Sequence, residues 1–203
     1  MKLSEYKTVF IIVGIIGVVL IALPGLESVV QFPSAGQEAF SELYLLGPGR
    51  TAEGYPSTIA TSQVYWVYAG VGDHLGQMAY YTVSVKLLNA TDSLPNATLS
   101  VPSPVAPIYE YKVVVVDNQT LESLFTFSFG NLTSTSNQTA VLGGLTVNGA
   151  QVTVNKPAAF DSTLGGYQYD LVFELWLYNS TTNSIQYHNR FVDLILNYPS
   201  SKA

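Results

Sequence analysis

From Val9 to Leu23 the chain runs for 15 residues without a polar side chain, VFIIVGIIGVVLIAL. A half-buried strand alternates and a surface helix keeps a polar stripe, so this run fits neither. Extended to Thr8–Leu26 it is 19 residues. As a helix it would be about 28 Å long, close to the ~30 Å hydrocarbon core of a bilayer. Lys2 and Lys7 precede it and Glu27 is the first charge beyond it, which predicts a cytoplasmic N-terminus and an outside location for everything after Leu26. Pro24 and Gly25 fall at the outer end, where a helix break is tolerated. Two other readings compete with an anchor. Pro33-Ser34-Ala35-Gly36 offers small residues for signal cleavage, although about ten residues past the apolar core. A pilin-like helix in a filament core is typically longer and unbroken by Pro at this depth. The expected organisation is residues 1–30 as cytoplasmic tip and transmembrane anchor, 31–39 as linker and 40–203 as one extracellular domain.

Charged residues are 11% of the chain, against about 25% in ordinary soluble proteins. The chain is nonetheless 48% hydrophobic, with 14 Tyr and 9 Phe, a composition that folds rather than stays disordered. Its polar surface must be largely uncharged. A coat of sugar would explain that, and so would an acidic exterior in which carboxylates are protonated. A net charge of −6 with eight Lys+Arg argues against nucleic acid, which is held by basic patches. The chain has no Cys, which excludes thiol catalysis and zinc–thiolate sites.

Six Asn-x-Thr sequons occur, at Asn89, Asn96, Asn118, Asn131, Asn137 and Asn179, and all lie beyond the apolar run. Chance predicts roughly two. Most fall in segments that read as loops or strand ends, so N-linked glycans are expected there. The plainer reading is that Asn and Thr are simply turn and strand residues of a β protein.

Beyond the linker no helical period persists and strand signals recur. Phe40–Leu46 ends at Gly47-Pro48-Gly49. Gln63–Val71 is apolar on both faces and reads as a central strand. In Ala79–Leu88, Tyr81, Val83, Val85 and Leu87 share one face. Residues 89–107 read as a long surface connection. Ile108–Val116 and Leu121–Phe129 follow, the latter with Phe125, Phe127 and Phe129 on one side. Residues 130–138 read as loop. Asn148-Gly149, between Leu145–Val147 and Gln151–Val154, suits a type I′ hairpin turn. Tyr167–Tyr178 alternates well, with Asp170, Glu174 and Trp176 on the outward side. Ile185–Leu196 alternates imperfectly, which predicts a bulge. Eight or nine strands with turns every 8–12 residues predict an all-β, Ig-like antiparallel β-sandwich behind one N-terminal transmembrane helix. The Cys…Trp…Cys hallmark is missing, so the likeness is architectural.

Little in the chain reads as chemistry. Asp73-His74, in a glycine-flanked loop, supplies two metal ligands at best. His188, near Arg190, reads as surface or packing. Asp170 and Glu174 share a strand face with Trp176, but their spacing of about 13 Å by strand rise is too wide for a glycosidase pair. Gly47-Pro48-Gly49-Arg50 has no helix after it to cradle phosphate. Catalytic, metal and cofactor sites are therefore expected to be absent.

The run Leu43-Tyr44-Leu45-Leu46-Gly47-Pro48-Gly49-Arg50-Thr51-Ala52-Glu53-Gly54-Tyr55-Pro56 is distinctive. It resembles the motif that opens the extracytoplasmic domain of an archaeal membrane-protein family, the domain-of-unknown-function 1616 class. Val64–Val71, Tyr81-Thr82-Val83 and the last hairpin fit the places that follow, so the likeness covers roughly residues 40–197. The chain departs from that pattern by carrying Arg50 where the family tends to have Gly, and one span where many members have several. The resemblance implies an archaeal cell-surface protein with an Ig-like sandwich, and it implies no activity.

The functional expectation is a membrane-anchored extracellular structural or interaction protein, not an enzyme. Its partners would be membrane lipid, N-linked glycans and other cell-surface or membrane proteins, in a surface layer, a filament or a larger assembly. The alternatives are a carbohydrate-binding module, in which Trp66, Trp176 or tyrosines stack on sugar, and a pilin-like subunit.

Overall fold

The computed structural model describes residues 39–136 and 138–200. The expected anchor and nearly all of the linker lie outside them. No helix among the described residues is long and apolar enough to cross a membrane.

The described chain is all-β, with ten strands: β1 (Phe40–Leu46), β2 (Val64–His74), β3 (Ala79–Asn89), β4 (Tyr109–Val115), β5 (Gln119–Phe129), β6 (Leu132–Ser136), β7 (Thr139–Val147), β8 (Ala150–Asp161), β9 (Gly166–Asn179) and β10 (Ser184–Pro199). Every pairing between strands is antiparallel. The ladder runs β1-β2-β5-β7-β8-β9-β3-β4, with β6 on β7 and β10 on β9. It folds into two layers at β8, which pairs β7 along most of its length and then passes Phe160–Asp161 to β9. The first sheet is thus built on β1, β2, β5 and β7, and the second on β10, β9, β3 and β4.

The period-two pattern places the core. Val67, Ala69 and Val71 of β2 and Phe125, Phe127 and Phe129 of β5 turn inward from the first sheet. Tyr81, Val83, Val85 and Leu87 of β3 and Tyr169, Leu171, Phe173 and Leu175 of β9 meet them from the second. Phe125 bridges the layers: its ring lies 4.9 Å from Phe173 in T-shaped contact and 6.3 Å from Tyr109. Phe129 meets Tyr169 at 5.9 Å. Aromatic pairs of this geometry add about 0.5–1.5 kcal/mol beyond the area they bury.

The Asn-Gly hairpin forms as expected, with φ of 47° at Asn148 and 82° at Gly149. Asn148 Oδ1 also accepts the Thr126 amide at 2.8 Å, fixing the turn to β5. The expected bulge is present in β10, between Tyr187 and Arg190. Two expectations are corrected. Residues 132–136 form β6 rather than loop, and the hairpin strands β7 and β8 extend well past the apolar residues flanking the turn. The residues of β6 are mostly small and polar (LTSTS), so pairing holds it, whereas the added parts of β7 and β8 bury Ala140, Leu142 and Ala158 in the core.

The edge strand β1 is capped by side chains. Arg190 Nε donates to the Ser41 carbonyl at 3.2 Å and Tyr55 OH donates to the Leu45 carbonyl at 2.8 Å.

Replacing Phe125 by Ala empties the contact between the layers and should cost about 3–5 kcal/mol, read as a lower urea midpoint in fluorescence-detected unfolding. An effect below about 1 kcal/mol would mean that the two sheets close without it.

Candidate functional site

The outward side of β3 and β9 in the second sheet is not open, contrary to the sequence expectation, while Val114 of β4 and Ile195 of β10 stay exposed at the flanks. Glu174 is fully buried and Lys86 is 4% exposed. Lys86 Nζ lies 2.8 Å from Glu174 Oε2. The residues meet because Ser84 pairs with Glu174 across β3 and β9, which sets Lys86 on the same face one diagonal step away. The covering element is the 90–108 connection. Its Ser103 amide donates to Glu174 Oε1 at 2.7 Å, and its Ser103 carbonyl accepts from Lys86 Nζ at 2.6 Å. Trp176 Nε1 donates to Glu174 Oε2 at 3.1 Å, and Lys86 Nζ sits 5.9 Å from the indole centroid. Every group of this ion pair therefore has an organised partner, which a buried charge requires. Trp176 is committed to the network and to the Tyr187 ring at 5.7 Å, so it is no platform for a sugar. Asp170 is buried on the same side, and that burial raises its carboxyl pKa against the opposing bond from Gln168.

A second polar cluster closes one end of the core, and the sequence reading did not assemble it. Ser41 Oγ lies 2.8 Å from Tyr81 OH and 2.8 Å from His188 Nε2. Tyr81 OH donates to Asp73 Oδ1 at 3.2 Å, and the same oxygen accepts the Leu75 amide at 3.0 Å. Asp73 is not a loop-tip residue: it lies one residue before the end of β2, fully buried, with Oδ2 unpartnered. The β10 bulge supplies the aim of His188, since an extra residue re-points side chains. The Ser–His contact has the spacing of a nucleophile and its base. However, Ser41 is 1% exposed and its hydroxyl also bonds Tyr81, so the arrangement ties β1, β2, β3 and β10 together. Burial raises the Tyr81 phenol to about 12. Burial and the Arg190 charge push the His188 imidazole below its ordinary value, with Asp73 opposing. His74 faces the other way, stacked on Phe40 at 4.5 Å and bonded to Asn118 Oδ1 at 3.1 Å. Among the described residues no group of three or more metal-ligating side chains converges.

The outward side of the first sheet is bare by contrast. Val64, Trp66 and Leu124 are 57%, 43% and 51% exposed. Trp66 pairs with Thr126, and Tyr68 pairs with Leu124 and Leu46, so these side chains form adjoining rows on one face. Tyr44 lies across Gly70, where any Cβ would collide with its ring. Tyr44 OH donates to Glu122 Oε1 at 3.3 Å. Burial, and then the Glu122 carboxylate, raises the Tyr44 phenol pKa. Arg50 completes the patch: its guanidinium stands 4.6 Å over the Tyr68 ring and 3.9 Å from Glu122 Oε2. Arg50 has φ of 58°, the left-handed conformation that favours Gly. The position thus suits the glycine of the resembling motif, and the contacts to Tyr68 and Glu122 offset the strain of an arginine there.

Five of the six sequon asparagines are described, and Asn137 lies outside. Asn89 ends β3, Asn179 ends β9, Asn118 turns between β4 and β5, Asn131 lies between β5 and β6, and Asn96 sits on the 90–108 connection. None lies in the Trp66–Leu124 rows. Asn96, Asn118 and Asn131 are exposed, while Asn89 and Asn179 are half-buried. Asn89 Nδ2 donates to the Pro157 carbonyl at 2.8 Å, and Asn179 Oδ1 accepts the Thr181 amide at 2.9 Å.

Lys86→Met or Glu174→Gln alone leaves a buried group unpaired and should destabilise by about 3–5 kcal/mol. The apolar double variant Lys86→Met/Glu174→Leu should lose less than the sum of the single changes in a urea double-mutant cycle. Strict additivity would mean that the pair is not coupled. For His188, folding favours the neutral imidazole. Its contribution is full above pH about 6.5 and is lost as pH falls through the lower folded value. His188→Gln should therefore flatten the loss of stability on acidification below that pH, as followed by thermal melts across a pH series.

A family model described as Domain of unknown function (DUF1616) matches residues 33–142. No curated protein matches the chain.

Proposed function

The chain belongs to the DUF1616 family, and on that premise we propose that it is a membrane-anchored, extracytoplasmic interaction protein of an archaeal cell surface. In this reading residues 8–26 cross the membrane once with the N-terminus inside. An Ig-like sandwich, glycosylated at its loops and strand ends, then stands outside and joins a surface layer, a filament or a larger membrane assembly as an accessory subunit. The observation that carries the reading is the asymmetry of the sandwich. The centre of the second sheet's outward side, on β3 and β9, is sealed by its own 90–108 connection and a buried ion pair, which leaves its flanking strands exposed. The first sheet's outward side leaves Val64, Trp66 and Leu124 in solvent. Clustered apolar exposure of that kind marks interaction surfaces, and Trp, Tyr and Arg are the side chains that dominate contact energies. The five described sequon asparagines lie off the Trp66–Leu124 rows, so sugar on them leaves those rows accessible. Ser41, whose hydroxyl is held against the His188 imidazole, is too buried to meet a substrate, which supports a non-enzymatic role.

The carbohydrate-binding alternative keeps one support, the exposed Trp66 indole. A photo-crosslinker placed at Trp66 or Leu124 in native membranes should capture one defined protein partner, whereas the same group at Glu110 or Lys112 on the second sheet should capture none. Trp66→Ala should abolish capture from position 124 while changing stability by no more than about 0.5 kcal/mol. A free monomer with no crosslink from either face would overturn the proposal, and saturable retention on a glycan array would favour the alternative.

A further inference from the structure

A cavity of about 790 Å3 lies at the end of the sandwich where β5 and β10 finish. Its size is within the 300–1,000 Å3 of ordinary ligand pockets. Its wall has three properties that bear on what it can hold. The whole sequon Asn131-Leu132-Thr133 lines it. Three aromatic rings line it as well, those of Phe160, Tyr167 and Tyr198. No lining residue carries a charge, and the rest present hydroxyls, a proline ring or a methyl group. Such a wall suits a neutral ligand with both apolar and hydroxylated faces, and that is the chemistry of a sugar ring. The aromatic part is rigid: Phe160 and Tyr167 meet edge to face at 5.7 Å, and Tyr198 OH is hydrogen-bonded to Thr61 Oγ1. Phe160 keeps 36% of its surface exposed, so a ring face remains to be covered.

Building on the extracytoplasmic reading above, we infer that this cavity holds the first sugars of an N-linked glycan carried by Asn131. Attachment joins Asn131 Nδ2 to the anomeric carbon of a sugar supplied by a lipid-linked glycosyl phosphate donor. The amide gives up one proton, and the donor's phosphate leaves with the bonding electron pair. The linked sugar then packs on Phe160 and Tyr167 and exchanges hydrogen bonds with the surrounding hydroxyls. Asn96 provides the contrast, because its Oδ1 caps a turn by accepting the Leu99 amide at 2.9 Å on the exposed connection.

The test uses the full chain from native membranes, and the same chain from a host without N-glycosylation. Site-resolved mass spectrometry should find Asn131 modified in the native material. Asn131→Gln should then lower the native melting temperature by roughly 2–4 °C, leave the unglycosylated chain unchanged, and exceed the effect of Asn96→Gln. Phe160→Ala, or Phe160→Leu should the first not fold, should lower the melting temperature only while the Asn131 glycan is present. A modified Asn131 whose loss has no effect, or whose effect adds fully to that of Phe160, would overturn the inference and leave the glycoprotein reading standing. A bare Asn131 beside other modified sequons would do the same. Six bare asparagines would remove both.

Discussion

The contact of Phe125 with Phe173 is the interaction on which the rest of the domain depends. It is where the first sheet meets the second across the core, and the neighbouring phenylalanines extend the contact along β5. Without disulfides, packing must hold the two layers together, and a β-sandwich does so by interdigitating the side chains of its inner faces. Once those faces are committed, alternation forces every second residue outward, and the character of the two outer faces becomes the variable that function can use.

The chain spends those faces differently. On the second sheet a lysine and a glutamate have left solvent, and the 90–108 connection folds over them to complete their hydrogen bonds. A buried pair is weak as a stabiliser but unforgiving of a misplaced partner, so it fixes where the connection lies. On the first sheet no segment among the described residues is drawn across, and Gly70 of β2 lets the Tyr44 ring lie against the backbone. Family membership reaches as far as Leu142, which takes in this open face and the Arg50 turn beside it.

Much of the architecture was legible because alternation is a local signal. β1 matches its sequence expectation, and β3, β5, β9 and β10 begin or end within a few residues of theirs. β6 was illegible because its residues are mostly small and polar, and the far parts of β7 and β8 because their inward face rests on few apolar residues, Ala140, Leu142 and Ala158, among glycines, a lysine and a proline. The burial of Glu174 and Lys86 was illegible for a different reason. Polar residues at alternate positions read as solvent-facing, and only the path of a distant loop decides otherwise. The Ser41–His188–Tyr81–Asp73 cluster joins four strands separated by up to 147 residues, and no spacing in the sequence announces it. The sequons could be read directly as triplets, but the aromatic cavity beside Asn131 is assembled from β8, β9 and β10.

The capping of β1 has a consequence for the order of events during synthesis. β1, the first of the described strands to emerge, is shielded at its edge by Arg190 of β10, the last of them. Until β10 is made, β1 presents hydrogen-bonding groups that a neighbouring nascent chain can pair with, the route by which partly folded β proteins aggregate. The finished domain is protected at a place where its growing chain is not. The hazard belongs to the interval between the two strands, and it grows with the density of chains being made side by side.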